Sequence, residues 1–186
     1  MHDEAKRARF EMLVLPHLDA AHGLARWLAR DAVQAEEAVQ EAFLRAFRFF
    51  GSFQGEDARP WLLGIVRNTC YTQIERERQG GAQAHFDEEV HGEDAASQGA
   101  VLRFPVDPEA AAIGRAEREL VHRSLADLPP EYREAVVLRE LQGCSYREIA
   151  RIAGIPIGTV MSRLARGRKL LQRALALRMR KRDTGT

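Results

Sequence analysis

Apolar positions recur every three or four residues along this chain, and β-branched residues are scattered rather than alternating, a pattern that predicts helices and almost no strand. Over residues 9–30, Phe10, Leu13, Val14, Leu18, Ala21, Leu24, Ala25 and Leu28 make one apolar stripe, with Pro16 expected at a kink or break. Asp31 suits the N-cap of the next helix, in which Ala35, Ala38, Val39, Ala42, Phe43, Ala46 and Phe50 line the core side. Glu36, Glu37, Gln40, Glu41, Arg45 and Arg48 are left outside, with Glu41 and Arg45 one turn apart as a helix-strengthening pair. A loop, GSFQGEDARPW, then leads into an apolar helix, WLLGIVRNTCYTQIERER.

Residues 79–108 break the pattern. They are rich in Gly, Ala, Asp and Glu, with six acids and one Arg, and cannot bury enough apolar surface to offset chain entropy. They read as a flexible acidic linker, with VLRF (101–104) as its one apolar cluster. The fold class expected is therefore all-α: two small helical domains, 1–78 and 109–182, joined by a tether. No run of apolar residues is long enough to span a membrane, and MHDEAKRARFEM lacks the apolar core of a secretory signal, so a cytoplasmic protein is expected. Cys70 and Cys144 lie far apart without metal-type spacing and read as reduced, partly buried hydrophobes.

The second domain carries the sharpest local pattern, SYREIARIAGIPIGTVMSRLARGRKL from Ser145 to Leu170. Ala150, Gly154 and Val160 are spaced as in two short helices crossing steeply around a tight turn, the helix-turn-helix arrangement. Ala150 permits close backbone approach, Gly154 supplies the turn, and Pro156 is expected to start the second helix. Ile149, Ile155, Val160 and Leu164 form the apolar seam. Thr159, Ser162, Arg163, Arg166, Arg168 and Lys169 stay outward as hydrogen-bond donors, suited to the major groove of DNA.

Charge separates that reading from a merely solvated helical hairpin. The chain as a whole carries +1, but residues 1–78 hold 11 basic and 12 acidic side chains, residues 79–119 hold 3 and 9, and residues 120–186 hold 14 and 6. From Arg163 to Arg182 there are nine Arg or Lys and no acid, the footprint of a phosphate-backbone binder. An acidic middle of net −6 beside a C-terminal part of net +8 also raises the expectation that one screens the other in the free chain.

The first domain offers a second binding chemistry. Five of the eight Phe lie between residues 43 and 53, with Trp61 just after, and some of these rings must be core. Phe53, Gln54, Asp57 and Arg59 on the loop, with Trp61, Arg67, Asn68 and Tyr71 on the next helix, also hold the rings, amides and guanidinium groups that a pocket for an unstacked base requires. The residues alone leave both readings open. No phosphate-binding glycine loop, nucleophile elbow or zinc-type His-Glu pairing occurs, so neither catalysis nor a cofactor is expected. The six histidines form no metal-ligand cluster, with His85 and His91 reading as solvated linker residues.

Taken in order, the segments resemble a bacterial sigma factor of the extracytoplasmic-function type. Ala35-Glu36-Glu37-Ala38-Val39-Gln40-Glu41-Ala42-Phe43-Leu44-Arg45-Ala46 is similar to that family's polymerase-core-binding helix, with Glu37 where Asp is usual. Phe53-Gln54-Gly55-Glu56 through Trp61-Leu62 to Arg67-Asn68 resembles the loop and helix that melt the minus-ten element and capture a flipped base. Leu128-Pro129-Pro130-Glu131-Tyr132-Arg133, leading into the helix-turn-helix, resembles the module that reads the minus-thirty-five element, with Met161 where many relatives carry Arg. The resemblance implies that Glu36, Glu37, Gln40, Glu41, Phe43 and Arg45 dock core RNA polymerase. It implies that Phe53, Gln54, Asp57, Arg59, Trp61, Arg67, Asn68 and Tyr71 meet the minus-ten element and its melted non-template strand. Tyr146, Thr159, Ser162, Arg163, Arg166, Arg168 and Lys169 are then the minus-thirty-five contacts. A dedicated anti-sigma factor is a further implied partner. The alternative is a helix-turn-helix regulator without a sigma role, which would bind DNA without polymerase.

Overall fold

The computed structural model describes residues 2–29, 31–55, 57–81 and 108–183, and these residues are helical with no strand among them. The N-terminal module holds α1 (His2–Val14), α2 (Leu18–Leu28), α3 (Ala32–Phe49) and α4 (Ala58–Gly81). The C-terminal module holds α5 (Pro108–Ala126), α6 (Pro130–Val136), α7 (Tyr146–Ala153) and α8 (Ile157–Asp183). Helix α4 thus runs to Gly81, into the segment read as linker: the helix-forming run ERERQ carries it past residue 78, and it ends at the glycine pair Gly80–Gly81. Most of that linker, with VLRF, His85, His91 and the acidic cluster expected to screen the cationic module, lies outside the described residues.

Local chemistry accounts for the element ends. Pro16 sits in a single 3-10 turn, Leu15–His17, that separates α1 from α2. Asp31 accepts from the Gln34 backbone N–H at 2.8 Å and starts α3 as expected. Helices α2, α3 and α4 then close around Ala21, Leu24, Ala25, Ala35, Ala38, Val39, Ala42, Leu62, Leu63 and Val66, all buried. The run of alanines on α3 lets the three backbones approach closely. Phe10 from α1 meets the rings of Phe43, Phe47 and Phe50 edge-on, at 6.5, 5.2 and 5.3 Å between centroids, the arrangement that aromatic quadrupoles favour. Leu18 departs from its stripe: it opens α2 beyond the 3-10 turn and stays exposed.

In the C-terminal module Ser145 and Glu148 form a reciprocal capping box at the start of α7, with Ser145 N–H to Glu148 Oε2 at 2.6 Å and Glu148 N–H to Ser145 Oγ at 3.2 Å. These bonds hold the Glu148 carboxyl below its ordinary pKa, the Ser145 hydroxyl contributing most. Gly154 ends α7 at φ 65°, a left-handed conformation that a side chain would strain, and Ile155 N–H returns to Ala150 O at 3.1 Å. Pro156 lies one residue earlier than expected: it caps α8, its carbonyl accepting from Thr159 and Val160 at 3.0 and 3.1 Å, instead of occupying the first helical position. Ile149, Val160 and Leu164 are buried and Ile155 packs against them, so the predicted seam forms. A π-helical turn, Val137–Leu141, joins α6 to the loop before α7. On α8, a Cβ at Gly167 would stand 2.7 Å from Val136 Cγ2 and 3.1 Å from Tyr132 O, so only glycine permits this approach to α6.

Candidate polymerase and nucleic-acid interfaces

Helix α3 presents its acidic and amide residues together. Glu36, Glu37 and Gln40 are exposed, Glu41 and Phe43 half-buried, and Arg45 donates to Glu41 Oε1 at 2.6 Å. That bond is the main cause holding the Glu41 carboxyl below its ordinary range. Large apolar groups stand beside this face: Leu44 is 65% exposed, and Phe47 lines a groove with Phe10 and Leu15. Sequence reading did not single out Leu44. The signal was available, because Leu44 is out of register with the buried set Ala35, Ala38, Val39, Ala42 and Ala46.

The minus-ten candidates divide into groups. Phe53 is buried, stacked at 5.9 Å on Phe50 and 4.8 Å from the half-buried Trp61, so these rings complete the aromatic core. Phe53 is thereby corrected from a base-contacting loop residue to a packing residue: the chain turns inward at the end of the 3-10 turn Phe50–Ser52. Gln54, Asp57 and Asn68 are exposed, and Asp57 accepts from the Arg59 backbone N–H at 3.0 Å, capping the start of α4. Arg59 and Arg67 are only partly accessible, because the C-terminal module covers them, and Tyr71 is half-buried beneath the Arg67 guanidinium.

This covering is the main feature that sequence reading did not foresee. Helix α4 packs on α7, where Gly64 lies against Ile152, and α2 packs on α6 and the π-helical turn. The Arg67 guanidinium forms a two-point ion pair with Glu134, Nε to Oε1 and Nη2 to Oε2, the second at 3.3 Å, and lies 4.7 Å over the Tyr71 ring. Glu134 is 2% exposed. Burial, and next the Glu134 charge, push the Tyr71 phenol up to about 12. Arg59 donates through Nη2 to the Gln142 carbonyl and, at 3.3 Å, to Gln142 Oε1, with Nη1 3.7 Å from Cys144 Sγ. The Trp27 ring lies tilted against His122 at 4.5 Å between centroids, and Arg133 Nη1 reaches the Trp27 carbonyl at 3.5 Å. Both cysteines are buried, and burial raises Cys144 and lifts Cys70 to about 11, consistent with inert thiols.

The minus-thirty-five candidates cluster on α8 and remain largely open. Ser162, Arg166, Arg168 and Lys169 are exposed, while Thr159 and Arg163 are half-buried. Arg168 donates to Glu140 Oε1 at 3.0 and 2.7 Å, tying α8 to the π-helical turn. Tyr146 is half-buried beneath the Arg139 guanidinium, 5.1 Å from the ring. Among the described residues no helix is long and apolar enough to cross a membrane.

A helical module with an exposed acidic helix face, followed by a cationic helix-turn-helix module, defines a two-part DNA-binding factor of the transcription machinery. Residues 13–79 match Sigma-70 region 2 and residues 118–171 match Sigma-70, region 4. The chain is 35% identical to RNA polymerase sigma-H factor of Pseudomonas aeruginosa over 91% of its own length and 87% of that protein's. It is 36% identical to ECF RNA polymerase sigma-E factor of Escherichia coli (strain K12), covering 73% of this chain and 70% of that one. A solved structure of the sigma factor RpoE in complex with the anti-sigma factor NepR, from Bartonella quintana, superposes with TM-score 0.71 at 28% identity, covering 90% of this chain and 97% of that one. The chain belongs to the extracytoplasmic-function family of RNA polymerase sigma factors.

Proposed function

We propose that this chain lends core RNA polymerase the ability to find and open a set of promoters, with the work divided between a unit at 1–78 and a unit at 109–182. The single observation that supports this most strongly is the order of the parts: an exposed acidic–amide face on α3, a loop and helix rich in base-binding groups, then an exposed cationic recognition helix. Glu36, Glu37, Gln40, Glu41, Phe43 and Arg45 dock the polymerase, joined by Leu44. Gln54, Asp57, Arg59, Arg67, Asn68 and Tyr71 meet the minus-ten element, and α8 reads the minus-thirty-five element through Arg163 and Arg166 with Thr159, Ser162 and Lys169.

No catalytic step is required of the chain itself. Extruding a base costs a few kcal/mol, and stacking returns about 1–3 kcal/mol per base. Such a factor works in the cytoplasm, on the genome. Arg59 and Arg67 are engaged by the C-terminal module in this arrangement, so the two units must separate before both reach DNA. A partner that holds the modules together is the natural regulator, and the related sigma factor solved with an anti-sigma factor supports one here. Run-off transcription with core polymerase, on a template carrying the region upstream of this chain's own gene, tests the proposal. Specific initiation that depends on the chain and weakens with Asn68→Ala is expected. A chain that binds the template but confers no initiation overturns it.

A further inference from the structure

The recognition helix carries an apolar patch on the side that faces away from the protein. Ile157 and Met161 are one helical turn apart on α8 and therefore neighbours on its surface, and they are 42% and 54% exposed. Both lie in the first two turns, the part of a helix-turn-helix recognition helix that reaches base edges. Between them is Gly158. A glycine disfavours a helix relative to alanine. Gly167 has an internal reason for its missing side chain, the approach to α6, but a Cβ at Gly158 would meet nothing within 4 Å. The seam residues of the same helix, Val160 and Leu164, are fully packed, so Ile157 and Met161 are not needed to close the core. Ser162 borders the patch and already spends its hydroxyl on Thr159 O at 3.0 Å. The result is a low, apolar strip at the tip of a helix that is otherwise strongly cationic.

We infer that Ile157 and Met161, with Gly158 allowing close approach, read thymine C5-methyl groups on the floor of the major groove in the upstream promoter element. The thymine methyl is the apolar feature of the major-groove edge, and apolar side chains recognise it by contact rather than by hydrogen bonds. The arginines further along α8 then set position on the phosphates and guanines, while this strip selects A·T pairs of one orientation. Burial of a methyl-sized group is worth about 0.8 kcal/mol, which corresponds to about fourfold in affinity. This inference rests on the reading of α8 as the minus-thirty-five helix.

The test uses the full chain with core polymerase and a duplex library randomised over the minus-thirty-five positions. In the selected sequence each thymine is replaced in turn by deoxyuridine, which removes the methyl and keeps every hydrogen-bonding group. The expected result is a loss of about fourfold at one or two positions. Met161→Ala should lose a similar factor on the thymine duplex and become indifferent to uracil at one of those positions. If uracil changes nothing at any position while Arg166→Ala still weakens selected binding, the methyl reading is overturned and the minus-thirty-five assignment of α8 survives. If no upstream preference emerges and Arg166→Ala is silent as well, both fall together.

Discussion

Replacing Glu134 by Gln should release the N-terminal module's proposed strand-binding face. Glu134 Oε1 and Oε2 receive Nε and Nη2 of Arg67 across the contact between α4 and α6, and the carboxylate is almost fully buried. Removing one member of a buried pair costs about 3–5 kcal/mol where the remaining charge is stranded. Arg67 keeps 20% side-chain exposure and the amide retains one acceptor, so a smaller value, about 2 kcal/mol, applies here. That shifts the ratio of closed to separated modules roughly thirtyfold. Energy transfer between dyes on cysteines introduced at the exposed positions Asp19 and Gln172 reads the separation, since native Cys70 and Cys144 are buried. In parallel, binding of a single-stranded minus-ten oligonucleotide should rise in Glu134→Gln. It should not rise in Arg67→Ala, which also loosens the contact but deletes the cation proposed to meet the strand. The double variant should show clear non-additivity. Unchanged transfer and unchanged strand binding in Glu134→Gln, with a melting curve like that of the parent, would refute this account of the contact.

Three further outcomes are expected. Ser145→Ala removes half of the capping box and should lower the stability of the C-terminal module by about 1 kcal/mol in thermal or urea melts; an unchanged midpoint would argue that water replaces the hydroxyl. Gly167→Ala forces a methyl against Val136 and the Tyr132 carbonyl and should cost about 1–3 kcal/mol, whereas Gly158→Ala should leave the melt unchanged or raise its midpoint. Tyr71 retains its proton to about pH 12, against about pH 10 for a free phenol, through burial first and next through the Glu134 carboxylate across the module contact. The closed arrangement is therefore fully favoured below pH 10 and loses stability as pH rises from there to 12, because only the separated form can ionise readily. The dye pair, read against tyrosinate absorbance, checks this, and transfer that stays flat through that window would exclude a contribution from Tyr71.

What could be read from the chain was whatever local chemistry determines. Asp31 as a cap, Gly154 as a turn, the Glu41–Arg45 pair and the seam of Ile149, Val160 and Leu164 each depend on residues within a few positions of one another. Direction within a cluster was harder. A run holding Phe47, Phe49, Phe50 and Phe53 announces an aromatic core, and helical spacing turns Phe50 inward, but Phe53 lies past the helix end, where no periodicity tells that it turns inward too. Least legible was the meeting of the two modules. Glu134 and Arg67 are 67 residues apart, and Gln142 and Arg59 are 83 apart, with no periodicity linking them. The Gln142 carbonyl that accepts from Arg59 stands at the end of a π-helical turn, and no residue pattern in VLREL marks that turn. The same pairing explains why Arg59 and Arg67 read as free nucleic-acid ligands from sequence and stand half-covered in the structure.

The Arg59 guanidinium cannot serve Gln142 and a DNA strand at once. Thermodynamic reciprocity then binds the two events: whatever factor closure takes from strand capture, strand capture takes from closure. A promoter with a strong minus-ten element would thus act as an effector of this chain's own shape, loosening the grip of any inhibitor that recognises the shut form. Induction and template quality would be read out on a single equilibrium.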